Sequence, residues 1–177
     1  GLEIEMGRHR FIHPKAVACK KEIKQFARGL KKQFLETTGV LIEEKGLTLT
    51  FHYRLVSPSK RKSVCNLFYD YFKTFPHASL LTVRSGKMSL EIRPNIDWEK
   101  KDAILWILER YKKRFPEQKV IPIYIGDDET DRSALAMIKK IGISIAVGVP
   151  ISATYFLPSQ SKCIALLRQI QLELTHQ

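Results

Sequence analysis

From Lys15 to about Thr37 the apolar residues Cys19, Ile23, Phe26, Ala27, Leu30 and Phe34 recur three and four apart, with lysines between them. That spacing predicts an amphipathic helix, closed by Gly39. Two strands are expected next, Val40 to Glu44 and Leu47 to Arg54, joined near Gly46. In the second, Leu47, Leu49, Phe51 and Tyr53 alternate with Thr48, Thr50, His52 and Arg54, the two-residue period of a half-buried antiparallel strand. After Ser57-Pro58-Ser59, Val64, Leu67, Phe68, Tyr71 and Phe72 form the stripe of a second helix that stops before Pro76. Leu80 to Arg84 and Lys87 to Arg93 then predict a hairpin turning at Ser85-Gly86. Residues 1–93 therefore read as one α+β domain, an antiparallel sheet backed by helices.

At Pro94 the pattern changes. Asp97 is placed to cap a helix carrying Ala103, Ile104, Ile107, Leu108 and Tyr111. Val120 to Ile125 is a nearly continuous apolar run, as expected of a buried parallel strand. A helix around Ser133 to Lys140, the apolar run Ile143 to Val147 and a short strand Tyr155 to Leu157 follow. A last helix starts near Ser159, with Cys163, Leu167, Ile170 and Leu174 on one stripe. Strands alternating with helices make residues 94–177 an open parallel α/β sheet, and the fold class of the chain is α/β.

Composition narrows the function classes. With 44% hydrophobic and 27% charged residues the chain is a folded one, and no run approaches the ~18 apolar residues of a membrane span. No basic stretch leads into an apolar one, so no signal peptide is expected. Thirty Lys and Arg against 18 Asp and Glu give a net charge of +12, which favours nucleic acid, acidic lipid or phosphorylated substrates. The excess lies early, in Lys15, Lys20, Lys21, Lys24, Arg28, Lys31 and Lys32, and again in Lys60, Arg61 and Lys62. No aromatic residues are interleaved as a stacking platform, so these read as solvated helix faces and nucleic acid is not the expected partner. Cys19, Cys65 and Cys163 stand singly, which fits reduced thiols in the cytoplasm. His9, His13, His52, His77 and His176 have no zinc-motif spacing.

The most informative string is Gly126-Asp127-Asp128-Glu129-Thr130-Asp131, which joins a buried strand to a helix. Its four acids repel one another. At the carboxyl end of a parallel strand, where open α/β sheets hold ligands, a hard divalent cation offsets that repulsion. Mg²⁺ accepts carboxylate oxygens and keeps several waters, so Asp127 reads as a direct ligand with Asp128 and Asp131 around it. An acidic turn whose Asp128 or Thr130 only caps the helix is the alternative.

This string, following Val-Ile-Pro-Ile-Tyr-Ile at Val120 to Ile125, resembles the fourth motif of haloacid-dehalogenase-type phosphatases, in the form found in trehalose-6-phosphate phosphatases. Glu44 to Arg54 resembles the cap-domain signature of that family. Leu90 to Pro94 followed by Lys100-Lys101-Asp102-Ala103 resembles its strand and third motif, and Val147 to Leu157 its carboxyl-terminal strand and turn. The four segments stand in family order, and the resemblance runs from about Gly1 to the last helix.

The resemblance implies an α/β cap domain over residues 1–93 and the carboxyl-terminal half of a Rossmann-like phosphatase core over residues 94–177. It implies Mg²⁺ as cofactor and trehalose 6-phosphate, or a similar sugar phosphate, as substrate. In the family one Asp attacks phosphorus and a second, two residues on, protonates the leaving alkoxide. This chain has Asp only at positions 70, 97, 102, 127, 128 and 131, hence no Asp-x-Asp, and the nucleophile and general acid are expected on a missing amino-terminal core segment. Lys100 aligns with the motif-three lysine that neutralises the phosphoryl charge, although Lys101 beside it is equally basic and replaces the usual Gly. Arg132 stands where the family commonly has Glu. Strand parity independently groups charged residues on exposed faces, and Glu43, Lys45, Arg54, Lys87 and Glu91 match the family's sugar-contacting positions. A non-catalytic sugar-phosphate-binding or regulatory module is the alternative, and a basic nucleic-acid-binding protein a third.

Overall fold

The computed structural model describes residues 1–175, so His176 lies outside the described residues. The chain divides into two compact units, Leu2–Asp97 and residues 98–175 with Gly1.

The first unit opens with a hairpin that periodicity alone did not suggest. Strands β1 (Glu3–Met6) and β2 (His9–Ile12) pair antiparallel across Gly7 and Arg8, and Leu2 and Ile4 turn inward. Each strand has only four residues, too few for a convincing alternation. The expected single helix from Lys15 is two, α1 (Pro14–Ala18) and α2 (Lys20–Gln33), broken where Cys19 leaves helical geometry at ψ 2°. Ala16, Cys19 and Ile23 are all buried, so the apolar spacing runs through the break and conceals it. Helix α2 ends at Gln33, short of Thr37, because buried Phe34 already lies outside helical geometry.

Strands β3 (Leu41–Glu44), β4 (Leu49–His52), β5 (Leu81–Gly86) and β6 (Ser89–Pro94) form an antiparallel sheet in the order β3-β4-β6-β5. Helix α2 and helix α3 (Pro58–Thr74) supply Phe26, Leu30 and Phe68 to the core formed with Leu49, Phe51, Leu90 and Ile92 of the sheet. Phe51 lies against Phe68 with ring centroids 5.0 Å apart and Phe34 against Phe51 at 4.8 Å, geometries that add to plain area burial.

The second hairpin turns two residues later than expected. Gly86 pairs with Ser89, leaving Lys87 and Met88 as the turn, and Met88 takes a left-handed φ of 59°. This register sets Val83 opposite Ile92 and Leu81 opposite Pro94, on the side facing the helices. A turn at Ser85-Gly86 would keep the same face inward but set Val83 opposite Met88 and Leu81 opposite Leu90, so the observed register is a choice of tertiary packing over local turn preference, at a cost of about 1–2 kcal/mol for the left-handed Met88.

In the second unit α4 (Lys100–Arg114) is capped by Glu99 and not by Asp97: the Glu99 amide donates to Asp102 Oδ2 at 2.7 Å in a reciprocal capping box. Strands β7 (Ile123–Gly126), β8 (Ile143–Val147) and β9 (Tyr155–Leu157) form a parallel sheet in that order, interleaved with α5 (Arg132–Ile141) and followed by α6 (Gln160–Thr175). The expected burial of Val120 to Ile125 does not hold: the strand starts only at Ile123, and Ile121 and Ile123 are more than half exposed. β7 is an edge strand among the described residues, so no neighbour covers that flank. No described residue of α6 is buried either, and its apolar Ile164, Leu167, Ile170, Leu172 and Leu174 stand exposed. Among the described residues no helix is long and apolar enough to cross a membrane.

Candidate functional site

Strand β7 delivers the acidic loop at its carboxyl end. Gly126 has no room for a side chain there, since a Cβ would come within 2.6 Å of the Asp131 Cβ. That close approach lets Asp131 fold inward to 4% exposure, and four donors surround its carboxylate. Lys100 Nζ donates to Oδ1 at 2.6 Å and Tyr124 Oη to the same oxygen at 2.5 Å. The backbone amides of Asp127 and Asp128 donate to Oδ2 at 3.2 Å each.

Burial opposes ionisation of Asp131, but the hydrogen bonds from Lys100 and Tyr124, together with the ammonium charge, outweigh it and hold the carboxyl below its ordinary range. Tyr124 moves the other way. Burial first, then the hydrogen bond to Asp131 and the neighbouring carboxylates, push its phenol up, so it remains a donor at neutral pH.

The three acids expected around a cation have separate partners. Asp131 is taken up as described, and Asp128 caps the following turn by accepting from the Thr130 amide at 2.7 Å. Asp127 is the one whose carboxylate borders a pocket, a space of about 290 Å³ lined by Ile125, Gly126, Val147, Gln160, Cys163 and Ile164. Its Oδ2 accepts from Gln160 Nε2 at 3.2 Å. Among the described residues no three acid, His or Cys side chains converge to hold a metal. A hard cation that keeps its waters needs only one or two protein carboxylates, and Asp127 has the chemistry and the exposure to be one of them. Arg132 pairs with Glu129 and not with the inner cluster.

Of the two adjacent lysines, Lys100 reaches the acidic loop, while Lys101 Nζ lies 3.6 Å from Glu99. Both follow from their order on the first turn of α4, which sends successive side chains about 100° apart. Sequence reasoning missed Tyr124 and Gln160. The signal for Tyr124 was a lone hydroxyl inside an apolar strand; Gln160 had none.

In the first unit the sheet's polar face is a second constellation. Register places Glu43 opposite Thr50, Thr50 opposite Glu91 and Glu91 opposite Arg84, one row across all four strands. His52 Nε2 lies 3.0 Å from Glu43 Oε2 and Lys45 Nζ lies 3.4 Å from the same oxygen. The contact with His52 is the main reason, with Lys45 adding to it, that the Glu43 carboxyl sits below its usual range. Arg54 and Lys87 meet through the main chain, Arg54 Nη2 donating to the Lys87 carbonyl at 3.3 Å. The structure thus groups Glu43, Lys45 and Glu91 on or beside one row and Arg54 with Lys87 at the hairpin turn. Thr50 and Arg84 join the row only through cross-strand register, which a sequence does not display.

The family model described as trehalose-phosphatase matches residues 9–161. A trehalose-phosphate phosphatase of Mycobacterium tuberculosis is 30% identical over 132 residues, 75% of this chain and 32% of that protein. A probable trehalose-phosphate phosphatase of Oryza sativa is 31% identical over 148 residues, 80% of this chain and 39% of the relative. The chain therefore spans about a third of the length of these curated relatives. The crystal structure of a trehalose-6-phosphate phosphatase related protein shares the fold with a TM-score of 0.77 at 17% identity, covering 100% of this chain and 72% of that one.

Proposed function

The chain belongs to the trehalose-phosphatase family, and on that premise we propose that the protein it comes from removes phosphate from a sugar phosphate, trehalose 6-phosphate before others. The observation that carries this reading is the Lys100–Asp131 pair at the carboxyl end of β7, a buried carboxylate fixing an ammonium on the loop whose Asp127 lines a pocket. Held there, Lys100 offsets phosphoryl charge without having to reorganise. Asp127, at the pocket, is the proposed Mg²⁺ ligand, and Asp128 and Asp131 shape the loop that presents it. Mg²⁺, when bound, supplies further charge neutralisation at the phosphoryl oxygens. Glu43, Lys45, Arg54, Lys87 and Glu91 of the sheet face are the proposed contacts to sugar hydroxyls, for which alternating acceptors and donors suit a polyol.

The proposal places nucleophile and general acid outside these 177 residues, which contain no Asp-x-Asp, so the chain by itself does not turn over. The same absence favours one second reading, a sugar-phosphate-binding regulatory module. Its cysteines are free, in keeping with the cytoplasmic location we assign. The test is Mg²⁺-dependent phosphate release from trehalose 6-phosphate by the protein in its full natural length, with Asp127→Asn alongside. Turnover that Asp127→Asn abolishes supports the phosphatase; saturable binding without turnover supports the regulatory module; near-normal activity of the variant removes Asp127 from the site.

A further inference from the structure

Helix α2 carries Lys20, Lys21, Lys24, Arg28, Lys31 and Lys32, and only one acid, Glu22. At 100° per residue all six cations fall within a sector of roughly 120°. The opposite side, Ile23, Phe26, Ala27 and Leu30, is buried in the core. Lys31 Nζ is paired with Glu44 at 2.5 Å, whereas Lys20, Lys21, Lys24, Lys32 and Arg28 have no ion-pair partner among the described residues. Lys20, Lys21, Lys24 and Arg28 surround a shallow groove of about 370 Å³ with Val17 and Ala18. Keeping so many like charges on one face, with acids available elsewhere in the chain, leaves a strong positive potential there.

This face is not part of the sugar-reading surface. Phe51, Leu90 and Ile92 point toward α2, and Thr50 and Glu91, one residue away in each strand, point to the other side of the sheet. The sheet and the helix layer therefore stand between the two polar faces of the unit.

We propose that this face of α2 binds the phosphate backbone of a nucleic-acid strand without reading its sequence. Lys20, Lys24 and Arg28 succeed one another at i, i+4 and i+8, about 6 Å apart along the axis. That is the scale on which successive phosphates follow along a strand. The row from Lys20 to Lys32 extends about 18 Å, longer than a compact phosphorylated metabolite requires. A membrane surface is the poorer match, because a membrane-lying helix embeds an apolar side and the apolar side of α2 is inside the core. The lack of exposed aromatics on the row, which argues against base recognition, is compatible with backbone contacts alone.

The test uses the full 177-residue chain and a fluorescently labelled mixed-sequence single-stranded RNA, followed by anisotropy between about 50 and 200 mM salt. Four phosphate contacts predict a slope of log affinity against log salt near about −3. The variant K20E/K24E/R28E is expected to lose at least about tenfold in affinity and most of that slope. The control R8E/K60E/K62E, with the same change in net charge at exposed sites elsewhere, is expected to retain binding. Circular dichroism verifies that both fold. Equal losses in the two variants, affinity indifferent to salt, absent binding at the lowest salt, or binding to phosphatidylserine vesicles in preference to RNA would each overturn the proposal.

Discussion

Phe26, Leu30, Leu49, Phe51, Phe68 and Ile92 of the first unit are closed off from solvent, whereas Ile123, Tyr155, Phe156, Ile164 and Leu172 of the second are all more than half exposed. Both units are sheets with helices. The difference lies in what each sheet type demands. An antiparallel sheet needs one covered face, and α2 with α3 provide it while the other face stays polar. A parallel sheet buries both faces, and three strands with α4, α5 and α6 leave its flank and the α6 stripe uncovered within these residues. The first unit is thus a closed hydrophobic core with one polar sheet face, and the second a parallel sheet whose burial is incomplete within the described residues.

The largest expected effect tests the finished core. Phe68→Ala removes a fully buried ring that touches Phe26 and Phe51 and should cost about 3–5 kcal/mol, read by urea unfolding followed by circular dichroism. A loss under about 1 kcal/mol would mean the aromatic cluster is loosely packed and the contrast between the units overstated.

Next comes the electrostatic anchor of the second unit. Lys100→Met leaves Asp131 buried without its cation, and because Lys100 is partly exposed the expected loss is about 2 kcal/mol, smaller than for a fully buried pair. Trp98 and Trp106 both lie in this unit, so tryptophan fluorescence reports on it. The sign of the pH dependence follows from the depressed carboxyl of Asp131. Its contribution is complete above the ordinary carboxylate range and is lost as pH falls through the lowered value in the folded state. The Lys100→Met variant should therefore show a shallower loss of stability in acid than the wild-type chain.

A smaller effect concerns the uncovered side chains. Ile164→Lys with Leu172→Lys should change stability by no more than about 0.5 kcal/mol each, since both are already exposed, while lowering self-association in analytical ultracentrifugation. Losses above about 2 kcal/mol would show that α6 is packed, and the asymmetry between units would disappear. The smallest change is at the hairpin turn: Met88→Gly relieves the left-handed φ and should gain about 0.5 kcal/mol in thermal unfolding after the entropic cost of glycine.

Apart from the β1–β2 hairpin and the break between α1 and α2, the sequence by itself determined the kind of the major elements. Ile23, Phe26 and Leu30 express the helical period of 3.6 and β8 a continuous apolar run, local patterns that survive without knowing any partner, whereas in β4 the expected half-buried alternation gives way to burial of Thr50 along with Leu49 and Phe51. It also determined that the acids gather after β7, because a motif is contiguous. Tertiary structure alone decided that Asp131 turns inward, that Lys100 and not Lys101 meets it, and that Tyr124 shares its oxygen. It decided as well that the hairpin turns at Met88 and that Glu43, Thr50, Glu91 and Arg84 form one row. The physical reason is range. A period is written in neighbouring residues, but register and the partner of a buried charge such as Asp131 are chosen among residues far apart in sequence, by whichever arrangement fills the core and pairs that charge.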